Sequence, residues 1–300
     1  MAKTCMTCKV LITGANGQLG QSINKVVDKF PQIEPTFISR NELNLANISQ
    51  VQSYFETHHY EYIINCAAYT EVDRAESEEL LAEQINHLAV AKLTEIAKKQ
   101  NSILIQISTD YVFDGNQIRP YRESRPTNPK SIYGATKERG EQAIINMAPR
   151  GCIVRTCWLY SEYGNNFIKT MLQLSKERDQ IGVVFDQVGS PTYATDLAIA
   201  LLNMIQSKKL EEDLTSVSIY HYSNEGVCSW YDLAKAVFEL TNQTCYVKPI
   251  ESSQYPTVAK RPHYSVFNKT AIKEDFQIEI PYWRDSLQKC IQAIKVLEQE

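Results

Sequence analysis

The sequence predicts an α/β fold, a doubly wound parallel sheet with a smaller α+β lobe after it. Three observations carry that expectation. Short apolar runs alternate with amphipathic helix-length segments through the first 110 residues. The first strand-to-helix turn is rich in glycine, Gly14-Ala15-Asn16-Gly17-Gln18-Leu19-Gly20. Tyr133 and Lys137 stand four residues apart after a long loop rich in proline and asparagine.

Composition narrows the class. With 300 residues, 43% hydrophobic and 22% charged, the chain suits one large or two smaller globular domains. A net charge of −4 offers no footprint for nucleic acid. No apolar run approaches the ~20 residues of a membrane span, and Met1 to Lys9 lacks the apolar core of a signal peptide. Eight cysteines are scattered, several inside strand-like runs, so reduced thiols and a cytoplasmic protein are expected. Cys5-x-x-Cys8 has no second Cys/His pair of matching spacing for zinc, and it precedes the βαβ unit that a redox motif would need.

In chain order, Val10-Leu11-Ile12 reads as a buried parallel strand. A helix from Gln18 to Phe30 follows, with Leu19, Ile23, Val26, Val27 and Phe30 on one face. Glycines at such a turn let the backbone approach a pyrophosphate seated on the helix N-terminus. The G-x-x-G-x-x-G spacing departs from the dehydrogenase G-x-G-x-x-G pattern. The competing reading is a turn needing glycine only for positive φ. The second strand, Thr36-Phe37-Ile38, ends at Ser39-Arg40, where an NAD-type fold would place an acid for the ribose. A hydroxyl and a guanidinium suit a 2′-phosphate instead; a surface arginine at a strand end is the plainer alternative. Further elements are a helix over 51–59, a third strand over 62–68, a helix after the acidic segment Glu71 to Glu76 running to about Gln100, and a fourth strand over 103–107. That strand leads into Ser108-Thr109-Asp110, at the carboxyl edge where ligands bind in such sheets.

On a helix, residues i and i+4 share a face, so the Tyr133 phenol and Lys137 ammonium can converge. A nearby cation lowers a phenol's pKa and makes it a general acid for a developing oxyanion. Residues after about 160 mix short strands, proline-punctuated loops and helices over 167–174, 195–205, 229–240 and 284–297, with strands over 183–185 and 218–222. Residues 1–160 are expected as the cofactor domain, with returns to its sheet around 183–222, and 161–300 as mainly a substrate lobe.

Three motifs together resemble the extended short-chain dehydrogenase/reductases, with their Rossmann-like sheet: Gly14-x-x-Gly17-x-x-Gly20, Ser108-Thr109-Asp110-Tyr111-Val112-Phe113-Asp114-Gly115 and Tyr133-x-x-x-Lys137. Within them the chain is similar to the dTDP-4-dehydrorhamnose reductases. That likeness runs on through Val154 to Tyr160, Gly164 to Phe167, Asp186-Gln187-Val188-Gly189-Ser190-Pro191-Thr192 and Arg261 to Ser265. The resemblance implies an NADPH-dependent oxidoreductase of dTDP-rhamnose synthesis, NADH remaining usable, acting on a nucleotide-sugar ketone as a monomer or homodimer. It implies that Gly14, Gly17, Gln18, Leu19, Gly20, Ser39, Arg40, Ala67, Ala68, Tyr69 and Thr70 bind cofactor. It implies cofactor and proton roles for Tyr133 and Lys137, a catalytic hydrogen bond from Thr109, and substrate contacts for Thr109, Asp110, Trp158, Asn166 and Arg261. Ser22 is not the acid that some relatives tie to a magnesium-bridged dimer, so no metal is expected. Rival readings are a nucleotide-sugar dehydratase or epimerase, and a regulatory subunit like methionine adenosyltransferase β. Dehydratases carry an acid directly after Thr-Asp, where this chain has Tyr111.

Overall fold

A parallel sheet must be covered on both faces, and the apolar runs of the sequence serve that need. The computed structural model describes residues 7–212 and 217–299, so Cys5 of the Cys5-x-x-Cys8 pair lies outside the described residues. β1 (Cys8–Thr13) carries the fully buried Val10, Leu11 and Ile12 into the glycine turn. α1 (Gln18–Val26) follows, and a 3-10 turn Val27–Lys29 completes the segment expected as one helix. β2 (Ile33–Ile38) starts earlier than expected because it pairs with β1 from Cys8 onward. α2 (Ile48–Thr57) is capped by Asn47, whose side chain accepts from the Gln50 N–H at 3.0 Å. β3 (Tyr62–Asn65) stops short of the expected Ala68, and Cys66 to Thr70 leave the sheet as cleft wall.

The segment expected as one helix to Gln100 is broken. α3 (Val72–Ala75) and α4 (Glu79–Glu83) precede a π-helical stretch, Gln84–Leu88, and then α5 (Ala89–Gln100). The widened turn coincides with Asn86, 1% exposed. Its Oδ1 accepts from the Tyr69 N–H at 2.9 Å, while Nδ2 donates to Tyr69 O at 3.1 Å and Thr136 Oγ1 at 3.2 Å. β4 (Ile103–Thr109) runs two residues past the expected end. α6 (Ile132–Met147), capped by Ser131 onto the Gly134 N–H, and β5 (Gly151–Thr156) complete the first half.

Beyond it come β6 (Leu159–Tyr160), α7 (Phe167–Glu177), β7 (Gln180–Val184), β8 (Val188–Gly189), β9 (Thr192–Tyr193), α8 (Ala194–Gln206) and α9 (Lys209–Glu212). β10 (Ser218–Tyr222), β11 (Cys228–Ser229), α10 (Trp230–Thr241), β12 (Tyr246–Ile250), β13 (Tyr264–Ser265), α11 (Thr270–Phe276) and α12 (Trp283–Leu297) follow. The main sheet is parallel, in the order β10-β5-β4-β3-β1-β2. Of the stretch 183–222, β10 returns to that sheet and α8 packs against α1, whereas β7 pairs with β12 in a separate ribbon. The core divides accordingly. One cluster joins the sheet to α1, α8 and α11, a second joins it to α2, α5 and α6, and a third binds α7, α10 and α12 in the later lobe.

α6 is fastened to the sheet by a buried ion pair. Glu141, 1% exposed, takes Nε and Nη2 of Arg155, 2% exposed, at 3.0 and 2.6 Å, and Ser108 Oγ at 2.5 Å. Removing one partner strands the other charge in the interior. We therefore predict that Glu141→Ala lowers the unfolding free energy by about 3–5 kcal/mol in urea titrations. A loss under about 1 kcal/mol would show that the pair is not what seats the helix.

Candidate active site

The carboxyl ends of β1, β3 and β4 open onto one cleft of about 1560 Å³ between the sheet and the later lobe. At its floor two glycines of the turn, Gly14 and Gly20, have no room for a side chain. Gly14 has φ +67°, and a Cβ there would lie 2.9 Å from Ala67 N; one on Gly20 would lie 2.4 Å from Gly14 O. The turn thus packs closely on itself and on the chain after β3, and it lines the cleft beside the N-terminus of α1, where an anion is favoured. A buried polar ladder ties the strand ends together: Thr13 Oγ1 donates to Asn65 Oδ1 at 2.6 Å, and Asn65 Nδ2 to Gln106 Oε1 at 2.7 Å.

At the end of β2 the exposed Arg40 reaches the cleft. The preceding Ser39 donates its N–H to Glu42 Oε2 at 2.8 Å. That N–H and the Ser39 hydroxyl hold the Glu42 carboxyl below its ordinary range.

Above the end of β4, Thr109, Asp110, Tyr133 and Lys137 face the same space. Lys137 is 5% exposed and its Nζ donates to Ile107 O at 2.7 Å. Burial lowers its pKa to about 8, with the Glu141 and Cys66 charges opposing. Tyr133 departs from expectation. Burial pushes its phenol well above the ordinary value, with a Thr109 hydrogen bond pulling the other way. The Lys137 ammonium was expected to lower it, but that group is bound to the strand carbonyl and desolvation dominates. Asp110, 4% exposed, is raised by burial to about 6 while accepting from Ser265 Oγ at 2.5 Å and Thr109 Oγ1 at 3.0 Å.

The later lobe supplies the opposite wall. Trp158 has φ +49°, a left-handed conformation that a bulky residue rarely takes. Arg261 donates to Asp73 Oδ2 at 2.5 Å and to the Tyr111 hydroxyl at 3.1 Å, so its charge is already partnered at the cleft edge.

Two residues expected at the site do not line the cleft, Ser39 and Asn166. Asn166 caps α7, its Oδ1 accepting from the Lys169 N–H, and its amide donates to Gln18 Oε1 at 3.0 Å and Ser161 O at 2.8 Å. Its amide thus engages Gln18, a residue that itself lines the cleft. The others, Gly14, Gly17, Gln18, Leu19, Gly20, Arg40, Ala67, Ala68, Tyr69, Thr70, Thr109, Asp110, Tyr133, Lys137, Trp158 and Arg261, all line it. Sequence reasoning missed Asn86, Glu141 and Arg155, which support the site from behind. The spacing Tyr133–Lys137–Glu141 was a usable signal for Glu141. Ser22 is fully buried, and among the described residues no cluster of His, Cys, Asp or Glu could hold a metal ion.

The RmlD substrate binding domain model matches residues 8–296. The chain belongs to that family. It is 40% identical to a dTDP-4-dehydrorhamnose reductase of Aggregatibacter actinomycetemcomitans, over 93% of this chain and 97% of that protein. It is 36% identical to the spore coat polysaccharide biosynthesis protein SpsK of Bacillus subtilis, over 95% and 97%. Among solved structures, the Bacillus anthracis dTDP-4-dehydrorhamnose reductase in complex with NADP superposes with a TM-score of 0.88 at 38% identity, covering 96% of this chain and 100% of that one. A UDP-glucose 4-epimerase of Thermus thermophilus, at 16% identity and a TM-score of 0.78, shares the fold.

The lysine at the centre of this RmlD-family cleft has a consequence for folding. Its folded-state pKa lies below the ordinary 10.5, so between about pH 8 and 10.5 the unfolded chain binds the extra proton. Stability then rises with pH across that window. We predict that wild type gains stability relative to Lys137→Met as pH is raised from 8 to 10, measured by urea denaturation. A relative loss would mean that Lys137 is not destabilised as a cation.

Proposed function

We propose that this protein is an NADPH-dependent reductase of dTDP-4-dehydro-L-rhamnose, forming dTDP-L-rhamnose. The observation that carries the proposal is the meeting of Thr109, Tyr133 and Lys137 at the carboxyl end of β4, across one cleft from the bare glycine turn. The relatives named as dTDP-4-dehydrorhamnose reductases, and the NADP complex of one, support the same reading.

The residues fit the cofactor. Gly14, Gly17 and Gly20 leave the α1 N-terminus open to a pyrophosphate, Arg40 offers a guanidinium to a 2′-phosphate, and Ala67 to Thr70 edge the cleft without bulk at the first two positions. When bound, NADPH supplies the hydride that reduces the C4 ketone. The chain's own residues then do the rest. Tyr133, kept protonated by burial, gives its proton to the developing alkoxide. Thr109, its hydroxyl turned from Asp110, steadies the reacting oxygen with a hydrogen bond, and Lys137 holds the cofactor ribose and balances the phenolate left behind. Residues beyond about 160 act mainly as the substrate lobe, with Asp110, Trp158 and Arg261 toward the nucleotide sugar. Location in the cytoplasm belongs to the same proposal; no described helix is long and apolar enough to cross a membrane.

A relative at 35% identity is a dTDP-4-keto-6-deoxy-D-glucose reductase of Streptomyces niveus, so the sugar is the point to test. NADPH oxidation should be measured against a panel of 4-keto nucleotide sugars. Turnover on none of them, with a synthetase subunit captured instead, would transfer the case to a regulatory binding protein.

Two variants test the roles. Tyr133→Phe keeps the ring and removes the proton, so kcat should fall by about 10²–10⁴-fold with little change in substrate binding. Near wild-type turnover in that variant would remove Tyr133 from the mechanism. Arg40→Ala should raise the KM for NADPH more than for NADH. Equal effects on both would show that Arg40 does not read the 2′-phosphate.

A further inference from the structure

The wall opposite the glycine turn contains an aromatic stack whose parts come from separate elements. Trp158 and Trp230 lie with ring centroids 3.6 Å apart and planes 12° from parallel. Phe167, the first residue of α7, leans on Trp230 at 4.7 Å. All three line the cleft and all three are only partly buried.

Trp158 is held from three sides. Its backbone is pinned in the left-handed region, with its carbonyl accepting from the Thr192 N–H at 3.1 Å. Gly189 presses bare backbone against the indole: a Cβ there would lie 2.8 Å from Cε2 and 3.1 Å from Nε1. Trp230 covers a ring face. Gly189 and Trp230 are themselves one unit, because Gly189 pairs with Cys228 in the antiparallel β8–β11 ribbon, two residues before Trp230. Ser229 and Asp232 close a capping box around that first turn of α10, with the Ser229 N–H donating to Asp232 at 2.9 Å and the Asp232 N–H to Ser229 Oγ at 3.1 Å. A ring fixed this firmly, on a backbone that resists it, is suited to meeting a ligand in one orientation.

We propose that Trp230 and Gly189 are positioning residues that set the Trp158 indole as a rigid platform for the sugar half of the nucleotide sugar. The inference rests on the proposed reductase reading, in which Trp158 faces the substrate. A flat indole takes the C–H face of a deoxygenated hexose and excludes water from it. The glycine of the D-Q-V-G-S-P-T stretch then has a physical reason: any side chain at position 189 pushes the platform out of place.

The test compares Trp158→Leu, Trp230→Leu, Trp230→Phe and Gly189→Ala by steady-state kinetics, NADPH fluorescence titration and far-ultraviolet circular dichroism. Stacked indoles couple their transitions, so wild type should show an exciton couplet that Trp158→Leu and Trp230→Leu lose. Trp230→Leu and Gly189→Ala should raise the KM for the keto-sugar by roughly three- to tenfold, the scale of an aromatic pair. Their kcat should stay within about twofold and NADPH binding should not move. Trp230→Phe, which can still stack, should restore the KM. If Trp230→Leu fails to fold, Gly189→Ala, which adds one methyl, carries the comparison.

A KM unchanged in Gly189→Ala and Trp230→Leu, while Trp158→Leu raises it, would overturn the positioning role and leave the substrate wall standing. An unchanged KM in Trp158→Leu would overturn both together. Weakened NADPH binding in step with the raised KM would make the stack a structural prop of the whole cleft and overturn the inference.

Discussion

The site depends on how α6 is registered against the sheet. Tyr133, Lys137 and Glu141 succeed one another at four-residue intervals, so one helix face carries all three. Glu141 grips Arg155 of β5 and Ser108 of β4; Lys137 reaches the Ile107 carbonyl. A slip by one residue would turn that face by about 100° and break every one of these contacts. Burying two charges is costly in itself, and such pairs seldom raise stability over an apolar replacement. What this one provides is a single allowed seating, which sets the phenol over the end of β4.

The same economy of support runs under the glycine-turn side of the cleft. The ladder Thr13–Asn65–Gln106 joins three neighbouring strands where their backbone hydrogen bonding ends. Asn86 holds the Tyr69 backbone from both its N–H and its carbonyl and touches Thr136, between Tyr133 and Lys137 in sequence. Thus the π-helical stretch links the Tyr69 edge of the cleft to α6. A regular α-turn would point residue 86 elsewhere, which gives the irregularity a physical purpose.

Much of this was legible in the sequence, for identifiable reasons. The Rossmann-like sheet, its first four strands and the cleft-lining glycines follow from local apolar runs and turn chemistry, and the strand Ser218–Tyr222 was placed to the residue. What escaped was non-local. The π-helical stretch before α5 coincides with Asn86 meeting Tyr69, seventeen residues away. β7 looked like a returning strand, but its partner is β12, over sixty positions later, and no local pattern encodes that choice. Asn166 reads in the sequence as a ligand-binding amide; its cap on α7 and its bond to Gln18, 148 positions away, appear only in the folded chain.

The instructive disagreement is over Tyr133. Sequence logic asks the lysine to acidify the phenol, yet in the folded chain the phenol is raised and the lysine lowered, both by loss of water. These shifts suit the proposed chemistry. A general acid must hold its proton at neutral pH until the moment of transfer, and a raised phenol does so. The acceptor is the alkoxide that hydride delivery creates, a much stronger base than the ketone it replaces, so the proton moves as that charge develops. The lysine's charge matters after that step. At pH 7 its pKa of about 8 leaves it mostly cationic, ready to stabilise the phenolate that the transfer creates. Desolvation therefore loads the acid, while the cation on the next turn of α6 stabilises its conjugate base.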